Sequence, residues 1–207
     1  RHSGDYVLLI LQKPYDSSLT RLMSKHGSYD AFISNTISKI QQYTDRKIRI
    51  RLHPLRQKEQ LDAISVTHVD FAQIEISDNL GGATGLEGGA GLYKDFAGAA
   101  SVVGFNSNAL TESVCEGIPT YSLCSSSMAW PVNAGSIDQL EEPNLRIDRT
   151  QWLYDLAYCQ WKESEVLSGA MWQHLGQAWP DIAQTRLERS DWADIEKEKE
   201  YMATLDK

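Results

Sequence analysis

Three short polar stretches carry side chains that can bind a phosphate-linked group. Each stretch follows an apolar or alternating run, and the three are Arg51-Leu52-His53-Pro54, Asn106-Ser107-Asn108 and Gln12-Lys13-Pro14-Tyr15-Asp16-Ser17-Ser18. Imidazole, hydroxyl and ammonium groups donate hydrogen bonds to anions, and a carboxylate accepts them from hydroxyls. These residue types therefore point to recognition of a phosphate ester on a hydroxyl-bearing molecule.

The stretch around Ser107 passes from a predicted strand at 101–105 directly into a short predicted helix. Ser107 or Asn108 can cap that helix, whose first N–H groups then face solvent as a place for phosphate. Glu112, one turn further on, can accept hydrogen bonds from ribose hydroxyls. The competing interpretation is an ordinary capped helix, which an α/β domain contains anyway.

The stretch around His53 ends a second predicted strand, in which Lys47 to Leu52 alternate between charged and apolar residues. A histidine at the carboxyl end of a parallel strand projects into the crevice where open α/β sheets bind ligands. Arg51 shares the side of His53 by the two-residue period of a strand, which makes it a further predicted contact. The competing interpretation is a strand end with a turn proline.

Lys13 and Asp16 follow the apolar run Tyr6 to Leu11, a strand predicted to be buried on both faces. Their loop is expected to open onto the same sheet edge as His53 and Ser107. A solvated turn is the competing interpretation. Both residues are predicted to contact substrate.

The order of predicted elements is that of a Rossmann-like, mostly parallel sheet flanked by helices, followed by a helical extension. Domains are expected at 1–148, for nucleotide-sugar binding, and 149–207, a helical extension packed on it.

The glycine-rich segment 77–91 is predicted to be a mobile loop, and 124–142 an irregular surface segment. Apolar residues at helical spacing over 149–175 predict a buried aromatic face. The remaining predicted strands are 47–52, 72–76 and one after Pro119, and the remaining predicted helices are 28–43, 57–64 and 92–97.

Composition narrows the class of protein. The 207 residues carry a formal charge of −8, which disfavours binding to nucleic acid phosphates. Three cysteines without paired spacing fit a reducing cytoplasm, and no apolar run is long enough to span a membrane. The chain starts without an initiator Met, so we expect residues to be missing upstream. The histidines lack metal-ligand spacing and Ser107 lacks a glycine-flanked elbow, so neither a metal, a bound cofactor nor a covalent intermediate is predicted.

Two of these motifs resemble those of a known family. Arg51-Leu52-His53-Pro54 looks like the His-Pro motif of the capsule-synthesis type GT-B glycosyltransferases, which include bacterial capsule Kdo transferases and, more distantly, bacterial sialyltransferases. Phe105 to Asn108, with Glu112 and Gly117-Ile118-Pro119, looks like their serine-containing phosphate motif. The resemblance implies the C-terminal donor-binding half of a GT-B fold, with His53 and Ser107 on phosphate and Pro54 beside the base.

The resemblance further implies a nucleotide-sugar donor, a glycan or other hydroxyl acceptor, and an N-terminal domain absent from this chain. Asn108 stands where the family often has a second Ser or Thr, and Glu112 with Gly117-Ile118-Pro119 also resembles the ribose segment of UDP-sugar transferases. Both CMP- and UDP-linked sugars therefore stay open. His53 is expected to stabilise the leaving phosphate, and Asp16 is the local alternative as catalytic base.

Two other functions remain open. A noncatalytic nucleotide-binding module that docks a partner would keep the phosphate site without turnover. A phage-type glycosyltransferase acting on modified DNA bases would need a basic groove.

Overall fold

The computed structural model describes residues 4–14, 16–19, 27–65, 69–78 and 88–176, with the backbone alone for 88–90. Its centre is a five-stranded sheet with every neighbouring pair parallel. The strands are β1 (Tyr6–Ile10), β2 (Lys47–Arg51), β3 (Ile74–Ile76), β4 (Ala99–Gly104) and β5 (Thr120–Ser122). Their order across the sheet is β3-β2-β1-β4-β5. The predicted Rossmann-like α/β fold is confirmed.

Four helices connect successive strands. They are α1 (Tyr29–Tyr43), α2 (Gln57–Ser65), α3 (Gly88–Ala97) and α4 (Asn108–Cys115). In α1, Ser28 caps the first turn by accepting the N–H of Ala31 at 3.1 Å, and the buried residues recur at helical spacing. That stripe packs with the side chains of β1 and β2 that point to the same face, among them Val7 and Ile48. Strand β1 is buried along its whole length, as predicted for a central strand of a parallel sheet with helices on both faces.

The second face of β1 and β2 has a more polar cover. Tyr6 on β1 donates its hydroxyl hydrogen to the Asp95 carbonyl of α3 at 2.6 Å, and Arg49 and Arg51 of β2 also reach the Asp95 carboxylate. The predicted helix at 92–97 begins four residues earlier than expected, at Gly88. The rest of the glycine-rich segment, 79–87, lies outside the described residues.

Helix α4 ends in a Schellman motif. Gly117 has a φ of +78° and donates to the carbonyl of Val114, and Ile118 donates to the carbonyl of Ser113, each at 3.0 Å. Left-handed backbone at this position favours glycine. The glycine and the proline that follows it thus turn the chain into β5.

Contacts between backbone positions divide the chain into two units, 1–149 and 150–207. In the described part of the second unit, α5 (Thr150–Tyr158) and α6 (Glu163–Leu167) are followed by helical residues 170–176. The predicted buried aromatic face is wrong for most of its members, because only Trp152 is buried while Leu153, Tyr158 and Trp172 are exposed. None of the helices in the described ranges has the length and apolar character that a bilayer crossing needs.

Candidate functional site

A cleft of about 440 Å³ opens at the carboxyl ends of β1, β2 and β4. Strand β1 has β2 on one side and β4 on the other, so chain order reverses at this point of the sheet. Such a switch point is where open α/β sheets bind ligands. The residues that line the cleft are Leu11, Gln12, Lys13, Asp16, Ser18, His53, Asn106, Ser107 and Asn108.

The three loops meet in register. Ile10 of β1 pairs with Arg51 of β2 and with Gly104 of β4. Gln12, His53 and Asn106 lie two residues beyond these positions in each chain segment. Gln12, His53 and Asn106 are therefore expected to lie side by side, two residues beyond the last residues of the three strands.

His53 is fixed by a tight turn. Its carbonyl accepts the N–H of Arg56 at 2.9 Å with Pro54 in the second turn position, where a proline's fixed φ is favoured. The N–H of Leu55 lies 3.3 Å from Nδ1 of His53. Nδ1 is thus an acceptor, and the neutral imidazole carries its hydrogen on Nε2. Pro54 itself is exposed and does not line the cleft.

The surroundings keep this imidazole neutral. Burial lowers the pKa of His53 below its usual 6.5, and the nearby Lys13 ammonium lowers it further, while Asp16 acts in the opposite direction. Near neutral pH, His53 therefore offers an Nε2–H hydrogen bond rather than a positive charge. In this tautomer it is a donor to an anion and not a base.

Ser107 caps α4 beside His53. Its hydroxyl oxygen accepts the N–H of Ala109 at 3.3 Å, and its carbonyl accepts the N–H of Leu110 at 3.0 Å. Among the described residues, the backbone N–H groups of Ser107 and Asn108 have no acceptor. Two N–H groups at the positive end of a helix dipole thus face the cleft region, beside a hydroxyl whose hydrogen can still be donated.

Lys13 and Asp16 line the cleft from the loop after β1. The Asp16 carboxylate accepts the N–H of Ser18 at 2.9 Å, which starts a short 3₁₀ turn at Ser17–Leu19. Hydrogen bonds from Ser18, with Lys13 and His53 nearby, lower the pKa of Asp16 below its usual value. Asp16 is therefore ionised at neutral pH and accepts hydrogen bonds from hydroxyl groups.

Gln12 also lines the cleft. The sequence placed it in the predicted loop, but only Lys13 and Asp16 of that loop were predicted to contact substrate. Oε1 of Gln12 accepts the N–H of Asn106 at 2.7 Å, and its Nε2 donates to the Ser18 hydroxyl at 3.3 Å. The side chain thus joins the loops after β1 and β4. The signal in the sequence is its position at the end of an apolar run, equivalent to those of His53 and Asn106.

Arg51 and Glu112 do not line the cleft, which departs from the prediction for both. Arg51 is buried and its Nη1 lies 2.6 Å from the Asp95 carboxylate of α3. The Glu112 carboxylate instead lies near Tyr93 of α3, whose pKa it raises. The sequence correctly placed Arg51 at the end of a strand and Glu112 one turn into a helix. It did not indicate which side chain each of them contacts.

The described ranges contain no assembled metal site and no disulfide among the three cysteines. No group of three His, Cys, Asp or Glu side chains there could hold a metal ion, and Cys115, Cys124 and Cys159 are free thiols.

Comparison of the chain with protein-family models, with curated proteins and with solved structures gave no match. The cleft's own geometry therefore carries the functional argument.

Proposed function

We propose that the cleft binds the phosphate of a nucleotide sugar, and that the chain is a glycosyltransferase or its donor-binding domain. The observation that carries this is the meeting of four kinds of anion donor in one cleft at the switch point of the sheet. These are the Nε2–H of His53, the hydroxyl of Ser107, the unpaired N–H groups at the start of α4, and the Lys13 ammonium.

The size and mixed character of the cleft support a nucleotide sugar over a bare anion. A volume of about 440 Å³ lies within the range typical of small-molecule sites. Asp16 adds an ionised carboxylate, which is unfavourable next to phosphate but suits a ribose or sugar hydroxyl. Its presence beside the donors is the feature expected where phosphate and sugar are bound together.

In the proposed reaction, an acceptor hydroxyl oxygen of a glycan or other molecule bonds to the anomeric carbon of the sugar. The bond from that carbon to the phosphate oxygen breaks, and the phosphate leaves with the electron pair. His53, Lys13 and the α4 N–H groups stabilise the charge that develops on the phosphate. The acceptor's proton goes to a base, for which Asp16 is the local candidate and an N-terminal domain the other source.

The lowered pKa of Asp16 makes it a weak proton acceptor in the free protein. This property favours a contact to a sugar hydroxyl more than the role of base. A chain that binds nucleotide sugar without turning it over would agree with this, and would fit the noncatalytic module that remains the second candidate.

Calorimetric titration of the chain with CMP, UDP and their sugar conjugates tests the proposal, together with an assay for sugar hydrolysis or transfer. We expect saturable binding, competition by the matching free nucleotide, and loss of binding in His53→Ala. Asn35→Ala, on the exposed side of α1, is the control and should bind as the wild type does. Absence of binding to every one of these ligands at millimolar concentration would overturn the proposal.

A further inference from the structure

Gln60 occupies a position where an apolar residue would be expected. It lies on the buried face of α2 with Ala63 and Ile64, and its side chain is completely withdrawn from solvent. A buried amide is costly unless its polar atoms are paired. Packing alone therefore does not explain why a glutamine occupies this buried position.

The side-chain amide of Gln60 forms hydrogen bonds with two of the loops that line the cleft, and with Tyr29 of α1. Its Oε1 accepts the backbone N–H of His53 at 2.6 Å. Its Nε2 donates to the backbone carbonyl of Gln12 at 2.6 Å and to the hydroxyl of Tyr29 at 3.1 Å. An N–H on one side and a carbonyl on the other leave one orientation of the amide that satisfies both.

The Tyr29 hydroxyl, on α1, also forms hydrogen bonds with the backbone of Gln12. It donates to the Gln12 carbonyl at 2.6 Å and accepts the Gln12 N–H at 3.0 Å. Burial raises the pKa of Tyr29, so the hydroxyl keeps its hydrogen and stays a donor. The backbone of Gln12 is thus clamped between α1 and α2.

The Gln12 side chain continues these contacts to the third loop, through Oε1 and the N–H of Asn106. One series of hydrogen bonds therefore runs from His53 through Gln60 and Gln12 to Asn106. It connects the three loops that line the cleft, although Gln60 itself does not line it.

We propose that Gln60 is a positioning residue that holds the His53 loop against the loop after β1. Its amide sets the distance between the Nε2–H of His53 and the donors at the start of α4, so that they meet a single anion without rearrangement. The consequence for ligand affinity rests on the proposed function of the cleft. The effect on His53 itself does not, because it is present in the unliganded chain.

Gln60→Met tests this role in the full chain, because methionine has a similar length and shape but neither donates nor accepts a strong hydrogen bond. Gln73→Leu is the matched control. The side-chain amide of Gln73 also bonds to the backbone at two places, donating to the carbonyls of Thr44 and Arg46 at 2.8 and 2.7 Å, but these lie before β2, away from the cleft. The measurements are hydrogen exchange of the His53 amide, the ¹H–¹⁵N spectrum of the His53 imidazole, and titration with CMP and UDP.

We expect Gln60→Met to speed exchange of the His53 amide about tenfold or more, to shift the imidazole signals, and to weaken nucleotide binding about tenfold. Gln60→Glu restores an acceptor for the His53 N–H and should recover part of the exchange protection. Gln73→Leu should change none of the three. A folded Gln60→Met chain with unaltered His53 exchange and imidazole signals overturns the proposal.

Two further outcomes separate this proposal from the proposed function. If the wild-type chain binds no nucleotide but Gln60→Met alters His53, the function fails and the positioning role stands. If Gln60→Met does not fold, the wild-type chain decides, because a His53 amide that exchanges there as fast as an open loop excludes the bond to Gln60.

Discussion

Nη1 of Arg51 lies 2.6 Å from Oδ2 of Asp95, and both side chains are almost entirely removed from solvent. Ser77 adds its hydroxyl at 2.9 and 2.8 Å from the two carboxylate oxygens. The ends of β2 and β3 are thereby fastened to α3, next to the loop that carries His53. Arg51 thus pairs with α3 and does not line the cleft.

This buried pair makes Asp95→Asn a severe change. Removing the negative charge leaves the buried positive charge of Arg51 with too little negative charge to balance it. Breaking a buried ion pair in this way lowers the free energy of unfolding by about 3–5 kcal/mol. Urea unfolding should show a loss of that order in the free energy of unfolding. Asp62→Asn is the control, because Asp62 pairs with Lys58 at 3.8 Å on an exposed surface. A loss for Asp95→Asn no larger than that of the control would contradict the role of the pair.

Ser107→Ala separates ligand binding from helix capping. The substitution removes a cap, at about 1 kcal/mol of stability, and the hydroxyl that would donate to phosphate in the proposed site. We expect nucleotide affinity to fall about tenfold. Titration calorimetry and thermal unfolding measure the two effects on the same samples.

Ser28→Ala provides the matched control for Ser107→Ala. Ser28 also caps a helix with its hydroxyl oxygen, which accepts the N–H of Ala31 in the first turn of α1, but it does not line the cleft. It should lose a similar amount of stability and keep wild-type affinity. Equal affinities for the two variants would remove the Ser107 hydroxyl from the binding site.

Gly117→Ala tests the chain reversal after α4. A Cβ at this residue would meet only Nη1 of Arg149, at 4.0 Å, so crowding is absent and the cost is that of left-handed backbone at φ +78°. That cost is about 1–2 kcal/mol for alanine, which corresponds to a fall in Tm of roughly 2–8 °C in a chain of this size. Nucleotide affinity should be unchanged because the N-terminus of α4 keeps its geometry. An unchanged Tm would contradict the strain argument.

The features that could be predicted from the sequence are those set by residues close together in the chain. Apolar runs marked the strands, and their ends marked His53 and Ser107, which the fold places in one cleft because the carboxyl ends of parallel strands share an edge. The parts that the sequence did not predict depend on partners far apart in the chain. Nothing near Arg51 indicates Asp95, and the role of Gln60 appears only when Gln12 and Tyr29 are brought beside it. Over 149–175, helical spacing identified helices correctly but did not determine which residues are covered.

The pH dependence of binding follows from the neutral state of His53. Burial and Lys13 hold the pKa of the free imidazole below 6.5, and a bound phosphate would stabilise the imidazolium and raise that pKa. The complex therefore takes up a proton in the window between the two pKa values. Affinity for a nucleotide sugar should rise as pH falls through this window and level off below the pKa of the free imidazole.

A nucleotide sugar is the right ligand for this measurement, because its esterified phosphate keeps one charge state across the window, unlike a terminal phosphate whose second pKa is about 6. His53→Gln keeps a hydrogen-bond donor but cannot titrate, so its affinity should be lower and independent of pH in this range. NMR titration of the His53 ring in the free and bound chain measures both pKa values directly. A free pKa above 6.5 would contradict the neutral state of His53 in the free chain. The same pH dependence in His53→Gln would show that His53 is not the group that couples protons to binding.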